Sequence, residues 1–265
     1  MKFDDASGAG PGGTGGPGAP RLAVITCAVL EAEIEHFAAN LPHVIHIENM
    51  EQGLHNEPRR LTERVQAAID HVELSTDAEA IALGYGLCSR GVEGLTTRRA
   101  RLVITRAHDC ITLLLGSRQR YAEYVAEHPG TYWYSPGWNK HHLPPGPQRY
   151  DALRREYLAK YGEDNADYLM QTEQSWFENY DRATYVDLTI GATDADVQYT
   201  QACADWLGWQ FDHQHGDADL LRSLLEGRWD DDRFLVIEPG QTFTASGDDR
   251  IVRAIDAPTP KADAP

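Results

Sequence analysis

Apolar positions fall into two kinds of segment that alternate along the chain. Short runs rich in branched residues, LAVIT (22–26), AIALGYG (80–86) and LVIT (102–105), read as buried strands. Longer stretches with apolar residues at helical spacing separate them. LEAEIEHFAAN reads as a helix and is followed by the strand VIHIE. A second helix is expected to begin near Asn56 and Pro58, a cap and a first-turn proline, with Leu61, Val65, Ala68 and Val72 on one face. Ser117 caps a third, which carries Tyr121, Tyr124 and Val125. The alternation predicts stacked βαβ units and an α/β fold: mostly parallel sheet or sheets with flanking helices, arranged as two Rossmann-like lobes or as one sheet with a helical insertion.

The stretch PGTYWYSPGWNKHHLPPGPQ breaks this rhythm and reads as a lobe connector or a structured lid. A polar helical region, YDALRREYLAKYG and NADYLMQTEQSWFENYD, follows it. The alternation then resumes with TYVDLTI, the helix DVQYTQACADWLG, WQFDHQH, the helix ADLLRSLLEGRW and the strand RFLVIEP. The expected organisation is a Gly/Pro-rich disordered tail over 1–20, an N-terminal α/β lobe over 21–140, a helical connector over 141–182, a C-terminal α/β lobe over 183–255 and a frayed end over 256–265.

Charge and composition narrow the function. A formal charge of −17 over 265 residues argues against sequence-independent binding to nucleic acid or an anionic membrane, since the partner would repel it. No window approaches the length of a spanning helix, and MKFDDASGAG lacks the basic and apolar regions of a signal peptide, so a cytoplasmic location is expected. Four cysteines are too few for a disulfide scaffold. In a reducing compartment their placement then points to metal binding or catalysis.

Three of the four follow strands. Cys27 comes after LAVIT, Cys88 after IALGYGL and Cys110 after LVITRAHD, and in a parallel sheet those ends share one edge, where ligands of open α/β sheets bind. With His108 two residues before Cys110, they form a candidate set for zinc or for an iron–sulfur cluster. The absence of any CxxC pair makes the signal positional, and a small buried residue at a strand end needs no function. Gly84 and Gly86 allow close backbone approach beside Tyr85, His55 precedes a helix within reach of such a pocket, and Glu31 stands one helical turn beyond Cys27 as a ligand or proton carrier. His213 and His215 share a strand face and offer a contribution from the second lobe. Cys203, with apolar residues at helical spacing around it, is expected to pack. P-loop, GxGxxG, GxSxG and HExxH patterns are all missing.

The segments TCAVLEAEIE, LHNEPRRL, LGYGLCSRGVEGL, RAHDCITLLLGSRQRYAEY, PGTYWYSPGW and ADLLRSLLEGRWDDDRFLVIEPG, in that order over about residues 22–240, resemble the uncharacterised family catalogued as domain of unknown function 1638. The resemblance implies that Cys27, His55, Cys88, His108 and Cys110 are matched positions. It also implies an association with corrinoid-dependent methyl-transfer systems, and so a small-molecule ligand or a corrinoid-system protein as partner, without naming a reaction. Three expectations follow. The first is a Cys/His metal or iron–sulfur protein serving methyl or one-carbon metabolism. The second is a non-catalytic accessory protein that holds a small ligand or cofactor. The third, a covalent cysteine nucleophile with His108 as base, needs partners from different strands.

Overall fold

In the computed structural model, which describes residues 18–257, the apolar runs become the core of a mostly parallel α/β fold. The expected terminal tails, 1–20 and 256–265, lie almost entirely outside the described residues. The first sheet takes β1 (Leu22–Cys27), β2 (Val44–Met50), β3 (Ala80–Gly84) and β4 (Arg101–Thr105), all parallel, in the order β2-β1-β3-β4. Helices α1 (Glu31–Ala38) and α2 (Pro58–Ser75) connect them on opposite faces. Alternation along the strands sorts the side chains between those faces. Ala23, Ile25, Cys27, Ile81, Leu83 and Tyr85 turn towards α2, whereas Leu22, Val24, Ala80 and Ala82 turn towards α1.

Helix α2 starts with Pro58 at its first position, as expected, but Glu57 occupies the cap position, so Asn56 is not the cap. A proline at this position gives up an N–H that would have lacked a helical partner anyway. Leu61, Val65, Ile69 and Val72 are fully buried under the sheet, each contributing on the order of 1.5–3 kcal/mol.

Beyond β4 come α3 (Cys110–Leu115) and α4 (Arg118–Glu127), the latter capped by Ser117, whose hydroxyl oxygen accepts from the Arg120 N–H. A second parallel sheet holds β5 (Thr131–Tyr134), β6 (Arg182–Asp187) and β7 (Gln210–His215). Between β5 and β6 run α5 (Pro136–His141), α6 (Pro147–Tyr161) and α7 (Glu163–Ser175), where the polar helical region was expected. Helix α8 (Asp194–Leu207) joins β6 to β7 and buries Cys203, whose sulfur packs against the Gly146 backbone, as the helical spacing predicted.

The chain then returns to the first sheet. Helix α9 (Asp219–Leu225) leads to β8 (Phe234–Ile237), which pairs antiparallel with β4. The strand RFLVIEP therefore belongs to the first sheet and not to the sheet of a C-terminal lobe. A short, continuous apolar run reads the same in either setting, and its partner is fixed by contacts more than 100 residues away in sequence. Strands β9 (Gln241–Ala245) and β10 (Val252–Asp256) form an antiparallel ribbon, and Phe243 and Val252 join the core on the α2 side of that sheet.

Candidate cysteine pocket

The strand order reverses direction between β1 and β3: the chain winds outward from β1 to β2, then crosses to the other side of β1. In open α/β sheets the crevice at such a reversal, outside the carboxyl ends of the strands, is where ligands bind. Cys27 is the last residue of β1, and Cys88 follows the end of β3.

Two glycines shape this crevice. Gly84 lies beside Thr26 in the β1–β3 ladder, where a Cβ would collide with the threonine side chain, and the Thr26 hydroxyl donates to the Gly84 carbonyl at 3.1 Å. At Gly86 a Cβ would stand 2.5 Å from the Asp109 nitrogen. That clearance lets the loop after β3 lie directly on the loop after β4: the Leu87 N–H donates to the Ala107 carbonyl at 2.8 Å and the Cys88 N–H to the His108 carbonyl at 2.9 Å. The β3–β4 pairing is thus carried past the strand ends and fixes Cys88 beside the His108-Asp109-Cys110 loop. Cys88, Ser89 and Arg90 then all adopt left-handed backbone, with φ of 45°, 54° and 68°. Three successive non-glycine residues in that region store strain, which the surrounding contacts must hold.

Asp109 organises the third loop. It caps α3, its Oδ1 accepting from the Ile111 and Thr112 N–H groups at 3.1 and 3.2 Å, while Oδ2 accepts from the Tyr121 hydroxyl at 3.0 Å. Cys110 is the first residue of that helix.

Cys27, Cys88, Cys110, Tyr85, His55 and His108 line one cavity of about 480 Å³. Its far wall is aromatic: Trp133 lies 6.1 Å from Tyr121 in a stacked arrangement, and Trp138 lies 5.6 Å from His55, ring centre to ring centre. The expectation that the aromatic stretch closes over the crevice thus has a structural counterpart in Trp133 and Trp138. Three buried polar groups of the lining residues, the Tyr85 hydroxyl, the Gln52 amide nitrogen and the Trp138 indole nitrogen, have no hydrogen-bond partner in the protein. A buried polar group without a partner costs about 1–3 kcal/mol, so their grouping around one cavity suits a ligand that would satisfy them.

Burial raises the thiols of Cys27, Cys88 and Cys110 above the ordinary cysteine value. Asp109 and then Cys27 push both Cys88 and Cys110 the same way, and Cys88 adds to the effect at Cys110, because one negative charge disfavours the next. Tyr85 is raised by burial first and then by all three thiols.

The remaining residues singled out in the sequence divide clearly. His55 lines the cavity with its Nδ1 2.8 Å from the Gln52 carbonyl, and His108 is exposed at the rim. Glu31 turns away into a different cleft, where its carboxylate meets Lys140 Nζ at 2.7 Å and His141 Nε2 at 3.4 Å. The cause is a 3₁₀ turn over Ala28–Leu30, which changes the angular phase between Cys27 and α1, so spacing by α-helical turns misplaces Glu31. Two residues further on, Glu33 is buried instead. His213 and His215 lie at the end of β7 with Asp187 of β6, apart from the thiols. Among the described residues, the group whose potential ligand atoms all lie within 4.8 Å of one another is Asp187, His213 and His215; the thiols share their cavity with wider spacing.

Fold and site together define a mostly parallel α/β protein with a thiol-lined pocket at the strand-order reversal of its main sheet. Within that class the chain belongs to the family described as Protein of unknown function (DUF1638), whose model matches residues 49–225. His55, Cys88, His108 and Cys110 fall inside the match, and Cys27 lies before it. No curated protein and no solved structure matches the chain.

Proposed function

We propose that the pocket holds a thiophilic metal centre on Cys27, Cys88 and Cys110, with His108 at the rim, and receives a small ligand against its aromatic wall. The observation that carries this reading is the convergence of three thiols from the ends of three successive strand units on one cavity, which Tyr85 also lines. Soft sulfur donors select zinc or iron–sulfur centres over hard cations. A single tetrahedral zinc ion needs sulfurs about 3.8 Å apart, given zinc–sulfur bonds of about 2.3 Å. The wider spacing of the thiols therefore favours an iron–sulfur cluster, which distributes its cysteine ligands over several metal atoms. Such a cluster supplies electron transfer or an iron site open to a ligand.

The chain's own residues do the rest. The Gly86 contact and the Asp109 cap hold the Cys88 and Cys110 segments together, and Trp133 and Trp138 give the cavity an aromatic wall. A free-thiol nucleophile is less well supported: burial keeps the thiols protonated near neutral pH, and His108 is exposed at the rim. Service in methyl or one-carbon metabolism, a corrinoid-system partner and a cytoplasmic location are part of the proposal and rest on family resemblance and composition. Among the described residues no helix is long and apolar enough to cross a membrane.

The test is anaerobic purification followed by elemental analysis and an absorption spectrum. Iron with broad visible absorption, or zinc, is expected in the wild type and lost in Cys88→Ser. Metal-free protein, or metal content unchanged in Cys88→Ser, overturns the proposal. The cavity's size and aromatic wall also suit a metal-free binding module. That second reading gains if a small ligand raises the melting temperature equally in wild type and Cys88→Ser.

A further inference from the structure

The carboxyl edge of the second sheet carries its own cluster of chemistry-bearing side chains. Register pairs Tyr185 with His213 and Asp187 with His215 across β6 and β7, and alternation sends all four side chains to the same face. Asp187 is buried, His213 is partly buried and His215 is exposed, so the group runs from the interior out to solvent. One ligand atom from each of Asp187, His213 and His215 lies within 4.8 Å of the others, and Asp187 Oδ2 is 2.7 Å from His213 Nε2. The second carboxylate oxygen of Asp187 is held by the Thr189 N–H at 2.7 Å, and Thr189 adopts left-handed backbone at φ 61° to make that contact.

An isolated Asp–His ion pair accounts for one distance in this group and leaves two neighbours without a role. Glu33, from the first turn of α1, is 1% exposed and neither carboxylate oxygen has a hydrogen-bond partner; it lies close enough to Asp187 for their charges to interact. The Tyr185 hydroxyl is also buried without a partner, and burial first, then the charges of Asp196, Asp187 and Glu33, raise its pKa. Burial first, and then the charge of Asp187, raise Glu33 to about 7, so it stays largely neutral unless a cation nearby favours its ionised form.

We propose that Asp187, His213 and His215 bind a divalent first-row cation, with the buried Glu33 carboxyl adding negative charge to its surroundings. Two imidazoles and one carboxylate form the donor set that zinc, iron(II) and cobalt(II) accept while keeping positions open for water or substrate. Ligands of a tetrahedral ion with bonds of about 2.1 Å stand about 3.4 Å apart, so a bound ion would replace the 2.7 Å Asp187–His213 hydrogen bond with less than about 1 Å of movement. Exposed His215 leaves an entry path. The ligand class is a borderline divalent ion, unlike the soft centre proposed for the thiols, and the inference does not depend on that reading.

Cobalt(II) tests it in the full chain, because nitrogen and oxygen ligands give only weak visible bands, whereas thiolates add intense near-ultraviolet absorption. The expected result is about one equivalent bound with the visible bands, retained in Cys88→Ser and lost in His213→Gln and in His215→Gln. The exposed His215 position guards against a variant that merely misfolds. Glu33→Gln, which keeps shape and removes charge, should weaken binding by about 10–100-fold, as removal of groups behind metal ligands commonly does. Visible bands unchanged in both histidine variants, or cobalt that gives only thiolate-type absorption, would overturn the proposal. Near-ultraviolet absorption that disappears in Cys88→Ser reports the thiols, and visible bands that persist in Cys88→Ser but are lost in the histidine variants report this site, so failure of this inference and failure of the thiol reading are distinguishable.

Discussion

The two sheets offer different chemistry at the same topological place. At the edge of the first sheet the chemistry is that of sulfurs, set at the end of β1, in the loop after β3 and at the start of α3, around a cavity of about 480 Å³. At the edge of the second it is that of carboxylate and imidazole groups, set on the strands themselves by cross-strand register. Strands hold side chains at fixed intervals, so β6 and β7 produce a tight group in a small space. Loops trade that precision for reach, which leaves room beside the thiols for a larger centre or a ligand. The price of the loop solution is visible in three successive left-handed residues at Cys88–Arg90.

The contrast can be broken most sharply at Gly86. In Gly86→Val the new side chain meets the Asp109 backbone and forces the two thiol loops apart. Overpacking of this kind costs about 3 kcal/mol, and the variant should lose thiol-bound metal while retaining the cobalt bands assigned to Asp187, His213 and His215. Denaturant unfolding and metal analysis read both effects. Stability within about 0.5 kcal/mol of wild type would mean that the loop contact is not what fixes Cys88.

A smaller effect is expected at Asp109. Asp109→Ala removes the cap of α3 and the Tyr121 bond, for a loss of about 1–2 kcal/mol, whereas Asp109→Asn keeps a capping oxygen and should cost only a few tenths. Equal losses from the two substitutions would assign the effect to the charge and remove the cap from the account.

The sequence already showed why the first edge is easy to find and the second is not. LAVIT, IALGYGL and LVITRAHD each end in a thiol, and a parallel sheet necessarily aligns such ends, so the pocket follows from local patterns alone. His213 and His215 were visible as a same-face pair, but Asp187 is 26 residues from His213 and joins it only through β6–β7 register. The 3₁₀ turn after Cys27 hid the distinction between Glu31 and Glu33, since its three residues per turn shift the face that α1 presents. The destination of RFLVIEP was equally out of reach, because nothing local tells a strand which sheet it will join.

The smallest predicted effect is a pH dependence behind the thiol pocket. His142 packs 4.7 Å from Trp138, and its pKa is lowered to about 4 by burial first, then by Arg149 and His55. The folded state thus holds it neutral where the unfolded chain, with a value near 6.5, would protonate it. Its contribution to stability is fully present above about pH 6.5 and is lost as the pH falls towards 4. Urea unfolding at pH 7 and pH 5 should show His142→Gln losing about 1 kcal/mol less than wild type over that interval, with allowance for the partial exposure of the ring. Parallel losses in the two proteins would show that the ring does not titrate between folded and unfolded states as described.

X-ray absorption at the edge of the metal that co-purifies under anaerobic conditions tests the thiol centre most directly. The account predicts sulfur neighbours at about 2.3 Å in the first shell, diminished in Cys88→Ser and unchanged in His213→Gln. A first shell of nitrogen and oxygen alone, or no metal above background, would contradict it.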